Sequence, residues 1–307
     1  MSSGIRALLL VFPMVIFGLW GALHTPDPDL DRDRDETDDV ALAQLPPLPR
    51  WSRADLPDFS SYSDTTEKKA AFFSFLYPRI VLANSRILIE RAYLQSLSDK
   101  DELSKSELTW LKNQAERLRV DEEPGSADMF RRLENRLDVI PPSLIMAQAA
   151  NESAWGTSRF ARRGNNLFGQ WCFSKGCGIV PQSRVDGASH EVADFDSPYL
   201  SVRSYIQNLN RHPAYQTLRD VRLKARSSGD DASGSSLAAG LLDYSERGEE
   251  YVKEIRNMIR YNNLSYYDEK FRSVRDSSQQ QLLKLASASN EEALLTDSQD
   301  DATGGEG

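Results

Sequence analysis

Between residues 66 and 140, apolar side chains recur at intervals of three and four positions, and this constrains the fold more than any other feature of the sequence. Such spacing gathers apolar side chains on one face of a helix. The run from Met129 to Ile140 shows it clearly. Residues 104–107 have the form of a capping box that starts a helix, and Pro78 predicts a kink or break. The pattern predicts a mainly α protein.

Residues 164–197 interrupt the helical pattern with glycines at 164, 169, 176, 178 and 187. We interpret this segment as loops and a small β-hairpin, with Gly187 between two short strand-like runs. Ser197-Pro198 then resembles an N-cap followed by proline in a first helical turn. The expected fold class is mainly α with a small β-hairpin, divided into a helical extension at 56–125 and a second domain at 126–265.

The N-terminal region predicts export or anchoring. Ala7 to Leu23 is almost wholly apolar, with Arg6 before it and Asp27 after it, which orients the following chain outside the cytoplasm. A membrane anchor or signal is therefore expected at 1–24. An uncleaved inner-membrane anchor facing the periplasm is favoured over a cleaved signal, because no small-x-small site follows Leu23 directly. An acidic, proline-rich linker is expected at 25–55.

Charge and composition exclude several functions. The net charge of −9 arises from 46 acidic and 37 basic residues, so the chain lacks the basic surface that nucleic acid requires. Residues 277–307 are polar and acidic and are predicted to be disordered. The chain has two cysteines, three scattered histidines and no HExxH, P-loop or GxGxxG pattern. We predict no cofactor and no metal.

One apolar helix carries the chemistry. In residues 141–156, Ile145, Ala149 and Glu152 share a helical face. A helix of this kind delivers a carboxylate toward an interior or a cleft, where apolar surroundings raise the carboxyl pKa. A raised pKa suits a general acid at neutral pH. From the spacing alone, a solvated glutamate at a helix end is the alternative.

The sequence around Glu152 resembles a known family of enzymes. Two motifs carry the resemblance: Ile145-x-x-Gln148-x-x-x-Glu152-Ser153-x-x-Gly156, and Gly164-Asn165-Asn166-Leu167-Phe168-Gly169. They are similar to the glucosaminidases of glycoside hydrolase family 73. Further segments across residues 56–265 resemble the Bax-like branch of that family: Leu56-Pro57-Asp58-Phe59, Lys69-Ala-x-Phe72-Phe73, Trp171-Cys172-Phe173, Gly176-Cys177-Gly178, His190-Glu191-Val192 and the stretch Ser201 to Tyr215.

The resemblance implies a lysozyme-like fold and hydrolysis of the β-1,4 bond after N-acetylglucosamine in peptidoglycan, with Glu152 as general acid. The family often places a second carboxylate on its hairpin, near Pro181 or Gln182 of this chain, where no acid occurs. Asp186 and Glu191 are the nearest substitutes. Alternatively, the 2-acetamido group of the substrate acts as nucleophile, with Tyr244 to orient it unless that tyrosine is simply packed in the core.

The remaining candidates surround this site. A role in sugar binding or in shaping the loop is expected for Asn165, Asn166, Phe168 and Gly169. Stacking on a sugar face is expected of Trp171 and is the alternative to core packing for Trp155, where core packing is favoured. Outside the cytoplasm, Cys172 and Cys177 are expected to form a disulfide across a short loop.

The sequence is also compatible with other functions. Muramidase, lytic transglycosylase or amidase activity on the same wall would use a similar cleft. A non-catalytic protein that binds glycan strands is favoured by the missing hairpin carboxylate. Partners other than peptidoglycan and the inner membrane do not follow from the sequence.

Overall fold

The computed structural model of the chain describes Leu42 and residues 45–182, 184, 189–275 and 279–295. The membrane segment predicted at 1–24, much of the linker at 25–55, Gly187 and Asp186 lie outside the described residues. Within them, the chain is mainly α-helical with a small antiparallel sheet, which confirms the predicted fold class.

The elements follow in chain order. The helices are α1 (Thr65–Ser98), α2 (Lys105–Leu118), α3 (Ala127–Arg136), α4 (Pro142–Glu152), α5 (Arg159–Gly164), α6 (Pro198–Arg211), α7 (Gln216–Ser227), α8 (Gly234–Leu237), α9 (Glu249–Tyr261), α10 (Ser265–Arg275) and α11 (Gln279–Ala286). The strands are β1 (Trp171–Cys172), β2 (Gly178–Ile179) and β3 (Glu191–Ala193). Single 3-10 turns or short 3-10 segments occur at Arg50–Arg53, Phe59–Ser61, Pro213–Tyr215, Ala238–Tyr244 and Glu292–Leu294.

Helix α1 is the central element of the fold. Its 34 residues begin after Asp64, whose side chain accepts a hydrogen bond from the Glu67 amide. The helix packs against α3, α4, α6 and α11. It is long and apolar enough to cross a membrane, but 83% of its apolar window is buried inside the fold, as in a core helix. The helix does not end at Pro78, where a kink or break was predicted. Packing on several sides offsets the lost amide hydrogen bond, which costs about 3 kcal/mol in an exposed helix.

The predicted capping box at the start of α2 is confirmed. The Ser104 hydroxyl accepts from the Glu107 amide at 3.3 Å, and the Glu107 carboxylate accepts from the Ser104 amide at 2.8 Å. These two bonds satisfy backbone donors that the first turn leaves without helical partners.

The small sheet has the order β1-β3-β2, with both outer strands antiparallel to β3. Trp171 pairs with Val192, and Gly178 pairs with Ala193. A Cβ atom on Gly178 would lie 2.0 Å from the Val192 carbonyl oxygen, so this register requires glycine. The sheet therefore has one strand more than the predicted hairpin.

Part of the tail predicted to be disordered at 277–307 has secondary structure in residues 279–295, which contain α11 and a 3-10 turn. Helix α11 lies along α1 and buries Leu282 and Leu285 there. Further along, Glu291 forms an ion pair at 2.7 Å with Arg79, whose side chain is fully buried. The polar composition of the tail concealed apolar residues at helical spacing.

Residues 45–55 of the predicted linker pack against the fold. Ser52 is fully buried, and Trp51 donates its indole hydrogen to the Ala288 carbonyl at 2.8 Å. One hydrophobic core runs through α1 and α4. The helical extension and the segment that carries Glu152 therefore share their packing.

Candidate active site

Glu152 is placed by a helix that is buried on all sides. Every residue of α4 from Pro142 to Ala150 is buried, as expected for a helix that is apolar around its whole circumference. The helix ends at Glu152, since Ala154, Trp155 and Gly156 adopt positive φ values of 51°, 60° and 76°. The end of α4 thus brings a carboxylate out of the core.

Aromatic rings of the helical extension hold the turn that follows Glu152. Trp155 makes edge-on contacts with Phe72 and Phe73, at centroid distances of 5.9 and 5.3 Å. Phe59 packs edge-on against Phe72 at 5.3 Å. A Cβ atom on Gly156 would lie 2.6 Å from Phe59. Core packing, rather than sugar stacking, therefore occupies Trp155.

Two side chains bind one oxygen of the Glu152 carboxyl group. Tyr251 on α9 donates its hydroxyl hydrogen to Oε1 at 2.7 Å, and Asn151 donates from Nδ2 to the same oxygen at 3.3 Å. Burial raises the pKa of Glu152 above its ordinary value, and these hydrogen bonds oppose that shift in part. Glu152 is therefore a partly buried carboxyl group biased toward its protonated form.

Two charged residues also act on Glu152. The negative charge of Glu254 raises the pKa of Glu152 further, while the positive charge of Arg247 lowers it. The two form an ion pair with each other at 2.8 Å. Glu254 lies one helical turn after Tyr251 on α9, so the same helix supplies both the hydrogen-bond donor and a neighbouring carboxylate.

Tyr244 lies beside Tyr251. The two rings stack at 5.4 Å with an interplanar angle of 9°, and the Tyr244 hydroxyl donates to the Phe168 carbonyl at 3.1 Å. Burial raises the pKa of Tyr244 well above its ordinary value, and the charge of Glu152 adds to this. Tyr244 thus connects the glycine-rich loop to the ring that binds Glu152. It is partly exposed.

The side chains of the two loop asparagines form hydrogen bonds to backbone carbonyl groups. Asn166 is 1% exposed and donates to the carbonyls of Gln170 and Ala193 at 2.9 and 2.8 Å. Asn165 donates to the Phe195 carbonyl at 2.9 Å. Gly169 is exposed with φ of 67°, in open space. In these contacts the loop side chains shape the backbone.

Phe168 is buried and stacks on Tyr205, with ring centroids 4.0 Å apart. Trp171 stacks on His190 at 4.3 Å and is only partly exposed. One face of the Trp171 indole is therefore already covered within the protein.

Glu191 binds the loop that the disulfide closes. Its two carboxylate oxygens accept from the amides of Gly176 and Gly178 at 3.1 and 2.8 Å, and the residue is 5% exposed. The predicted disulfide between Cys172 and Cys177 is present. The two sulfurs and a Glu191 oxygen lie within 4.8 Å of one another, but both sulfurs are bonded to each other.

Sequence reasoning missed the residue that contacts Glu152 most closely. Tyr251 lies 99 positions away from Glu152 along the chain. Gln148 is fully buried and donates from Nε2 to the Tyr251 hydroxyl at 2.8 Å. A signal was present, because Gln148 and Glu152 are four positions apart and share a face of α4.

Comparisons with known proteins identify relatives of this chain. A family model described as mannosyl-glycoprotein endo-beta-N-acetylglucosaminidase matches residues 127–264. The chain is also 36% identical to Protein bax of Escherichia coli strain K12 over 197 residues, which cover 64% of this chain and 70% of that protein. The chain belongs to the Bax-like branch of the glucosaminidases. No solved structure matches it significantly.

The glucosaminidase match runs from the start of α3 to just before α10 and therefore includes Glu152, Tyr244 and Tyr251. Membership of the glucosaminidases supports a glycoside hydrolase-like role and a glycan substrate. The similarity to Protein bax extends beyond this domain, because it spans 197 residues.

Proposed function

We propose that this glucosaminidase hydrolyses the β-1,4 bond after N-acetylglucosamine in peptidoglycan, with Glu152 as general acid. The observation that carries the proposal is the partly buried Glu152 carboxyl group, which α4 delivers from the core and whose pKa burial raises. A neutral carboxyl group donates its proton to the leaving glycosidic oxygen as the bond breaks.

The second catalytic group is, in this proposal, the substrate itself. The carbonyl oxygen of a 2-acetamido group acts as nucleophile in substrate-assisted glycosidases. This route is favoured over a role for Glu191, because both Glu191 oxygens are engaged by backbone amides of the disulfide loop. Asp186 lies outside the described residues and stays a candidate for the test.

Tyr244 is proposed to orient the acetamide. Its hydroxyl hydrogen is directed to the Phe168 carbonyl, which leaves the lone pairs of the phenol oxygen to accept the acetamide N–H. Stacking on Tyr251 fixes the ring next to the residue that binds Glu152. Sugar contacts from Asn165, Gly169 and Trp171 would be made by exposed parts of the same loop and strand, whereas Asn166 and Phe168 are buried and hold the loop.

The proposed location is the periplasmic face of the inner membrane. The apolar segment at 1–24 would anchor the chain, since positive charge precedes it and acidic residues follow. The disulfide between Cys172 and Cys177 supports an oxidising compartment. Peptidoglycan strands would then lie within reach of the folded domain.

Digestion of purified sacculi, followed by mass spectrometry of the products, tests the proposal. New reducing ends on N-acetylglucosamine are expected. Reducing N-acetylmuramic acid, anhydro sugars or free peptides would instead identify a muramidase, a lytic transglycosylase or an amidase. Glu152→Gln keeps the size of the side chain but cannot supply the proton, so activity is expected to fall about 10²–10⁴-fold.

Matched variants separate the two mechanisms. Tyr244→Phe should lower the rate more than Asp186→Asn or Glu191→Gln if the substrate assists. A loss with Asp186→Asn as large as that with Glu152→Gln would establish a two-carboxylate mechanism. Native protein that sediments with sacculi and releases no product would identify a wall-binding protein.

A further inference from the structure

A chain of hydrogen bonds leads from the core to Glu152. It begins at the Tyr205 hydroxyl on α6, which donates to Oε1 of Gln148 on α4. The other end of that amide, Nε2, donates to the Tyr251 hydroxyl at 2.8 Å, and Tyr251 donates to Oε1 of Glu152 at 2.7 Å. Tyr205, Gln148 and Tyr251 are buried.

The orientation of the Gln148 amide sets the direction of every proton in this chain. An amide oxygen only accepts and an amide nitrogen only donates. Tyr205 must therefore donate to Gln148, and the oxygen of Tyr251 must accept from it. The single hydroxyl hydrogen of Tyr251 is then free only to bind Glu152.

The rings that carry the two hydroxyls are also held in place. Tyr205 stacks on Phe168 at 4.0 Å, and Tyr251 stacks on Tyr244 at 5.4 Å. The glycine-rich loop and the segment after α8 thus position both ends of the chain. Burial raises the pKa of Tyr251 well above its ordinary value, so the hydroxyl stays protonated at neutral pH.

The two oxygens of Glu152 consequently differ. Oε1 receives hydrogen bonds from Tyr251 and Asn151, whereas Oε2 has no hydrogen-bond donor among the described residues. The lone pairs of Oε1 already accept two hydrogen bonds, so a proton bound to Oε1 would compete with them.

We infer that Gln148 and Tyr251 are positioning residues that hold Oε1 of Glu152 as an acceptor, so that the acid proton sits on Oε2 and is donated from there. The inference rests on the proposed function for the donation step, but the placement of the proton does not depend on it. At the donation step, the O–H bond at Oε2 breaks, the proton joins the leaving glycosidic oxygen, and Glu152 becomes a carboxylate that Tyr251 stabilises.

Carboxyl ¹³C NMR titration of Glu152 in the full chain tests the hydrogen-bond chain without requiring activity. The signal is assigned by its absence in Glu152→Gln. Tyr251→Phe removes the donor to the carboxylate, so the Glu152 pKa should rise by about one pH unit. Tyr205→Phe removes no side chain that contacts Glu152, but it removes the hydrogen bond that fixes the Gln148 amide. The amide is then free to flip and to present its oxygen, in place of its nitrogen, to Tyr251. This variant should raise the Glu152 pKa in the same direction by a smaller amount.

The matched control is Tyr261→Phe, the same substitution on the same helix at a residue that is 77% exposed. It should leave the Glu152 pKa unchanged. An unchanged or lowered pKa in both Tyr251→Phe and Tyr205→Phe, in variants whose circular dichroism spectra match the native protein, would overturn the hydrogen-bond chain.

Two further measurements address the oxygen and the catalytic role. Neutron diffraction below the Glu152 pKa should place deuterium on Oε2, and deuterium on Oε1 would overturn the assignment. In an active enzyme, Tyr251→Phe should shift the alkaline limb of the pH profile of kcat to higher pH, by the same amount as the pKa measured by NMR. A limb that stays in place while the NMR pKa moves would remove Tyr251 from the reaction. A native protein without activity would refute the proposed function and leave the proton assignment to the other two measurements.

Discussion

The ring of Phe59 occupies the space into which a side chain at Gly156 would project, with 2.6 Å between Phe59 Cδ2 and the position of a Cβ atom. Phe59 belongs to the helical extension, and Gly156 closes the turn after Glu152. The extension therefore helps to set where the carboxyl group lies. This contact connects the packing of the fold to the geometry of the site.

Gly156→Ala should destabilise the protein and lower its activity. Alanine at φ of 76° carries about 1–2 kcal/mol of backbone strain, and the overlap with Phe59 adds about 1–3 kcal/mol. Gly229 has φ of 75° in open space, so Gly229→Ala should show the strain alone. The free energy of unfolding in urea measures the loss of stability in each of the two variants. Equal losses in the two variants would show that Phe59 moves aside without cost.

Local signals in the sequence predicted several features correctly. The capping box at Ser104 and Glu107 and the disulfide between Cys172 and Cys177 join residues close in the chain. The helix that ends at Glu152 was visible as an apolar run after two prolines. Each depends on neighbours within a few residues, which sequence spacing reports directly.

Features that depend on distant contacts were not predictable in the same way. The Tyr251 hydroxyl reaches Glu152 only because α9 packs on α4, and periodicity within either helix does not reveal that pairing. The ordered segment at 279–295 was hidden by its polar composition, because its stability comes from burial against α1. Pro78 was predicted to kink or break a helix, but α1 continues through it because tertiary packing stabilises the helix on both sides of the proline.

The raised pKa of Glu152 predicts a pH-dependent gain in stability for Glu152→Gln. The folded state binds the carboxyl proton more tightly than the unfolded state, whose ordinary value is 4.5. The stability that the Glu152 carboxyl group contributes to the native protein is therefore fully present below pH 4.5. It is lost as the pH rises through the raised pKa of the folded state. The unfolding free energy of Glu152→Gln relative to native protein should rise across that window and then level off.

Each unit by which the folded pKa exceeds 4.5 corresponds to about 1.4 kcal/mol of this gain. Urea denaturation at a series of pH values measures it. Glu269→Gln, the same substitution at an exposed residue of α10, is the matched control. A Glu152→Gln difference that falls with pH would mean that burial does not raise the Glu152 pKa.

Glu191→Gln should destabilise the sheet and the disulfide loop more than it affects the reaction. An amide presents one oxygen and one NH₂ group to two backbone N–H donors, so one hydrogen bond to the buried carboxylate is lost. Hydrogen bonds to charged groups contribute about 1.5–3 kcal/mol each. Unfolding free energy and activity on sacculi should be measured together, with Glu269→Gln as control. Unchanged stability combined with a loss of activity equal to that of Glu152→Gln would assign Glu191 to catalysis.

Removal of residues 279–307 should lower the Tm more than removal of residues 296–307 alone. The longer deletion takes away α11 and Leu294, and exposes the surface of α1 that Leu282 and Leu285 cover. Each buried leucine contributes about 1.5–3 kcal/mol. The longer deletion also leaves the fully buried Arg79 without the Glu291 carboxylate, and a buried charge that loses its partner is costly. Thermal unfolding followed by circular dichroism compares the two deletions, and equal Tm values would show that residues 279–295 add nothing to the stability of the core.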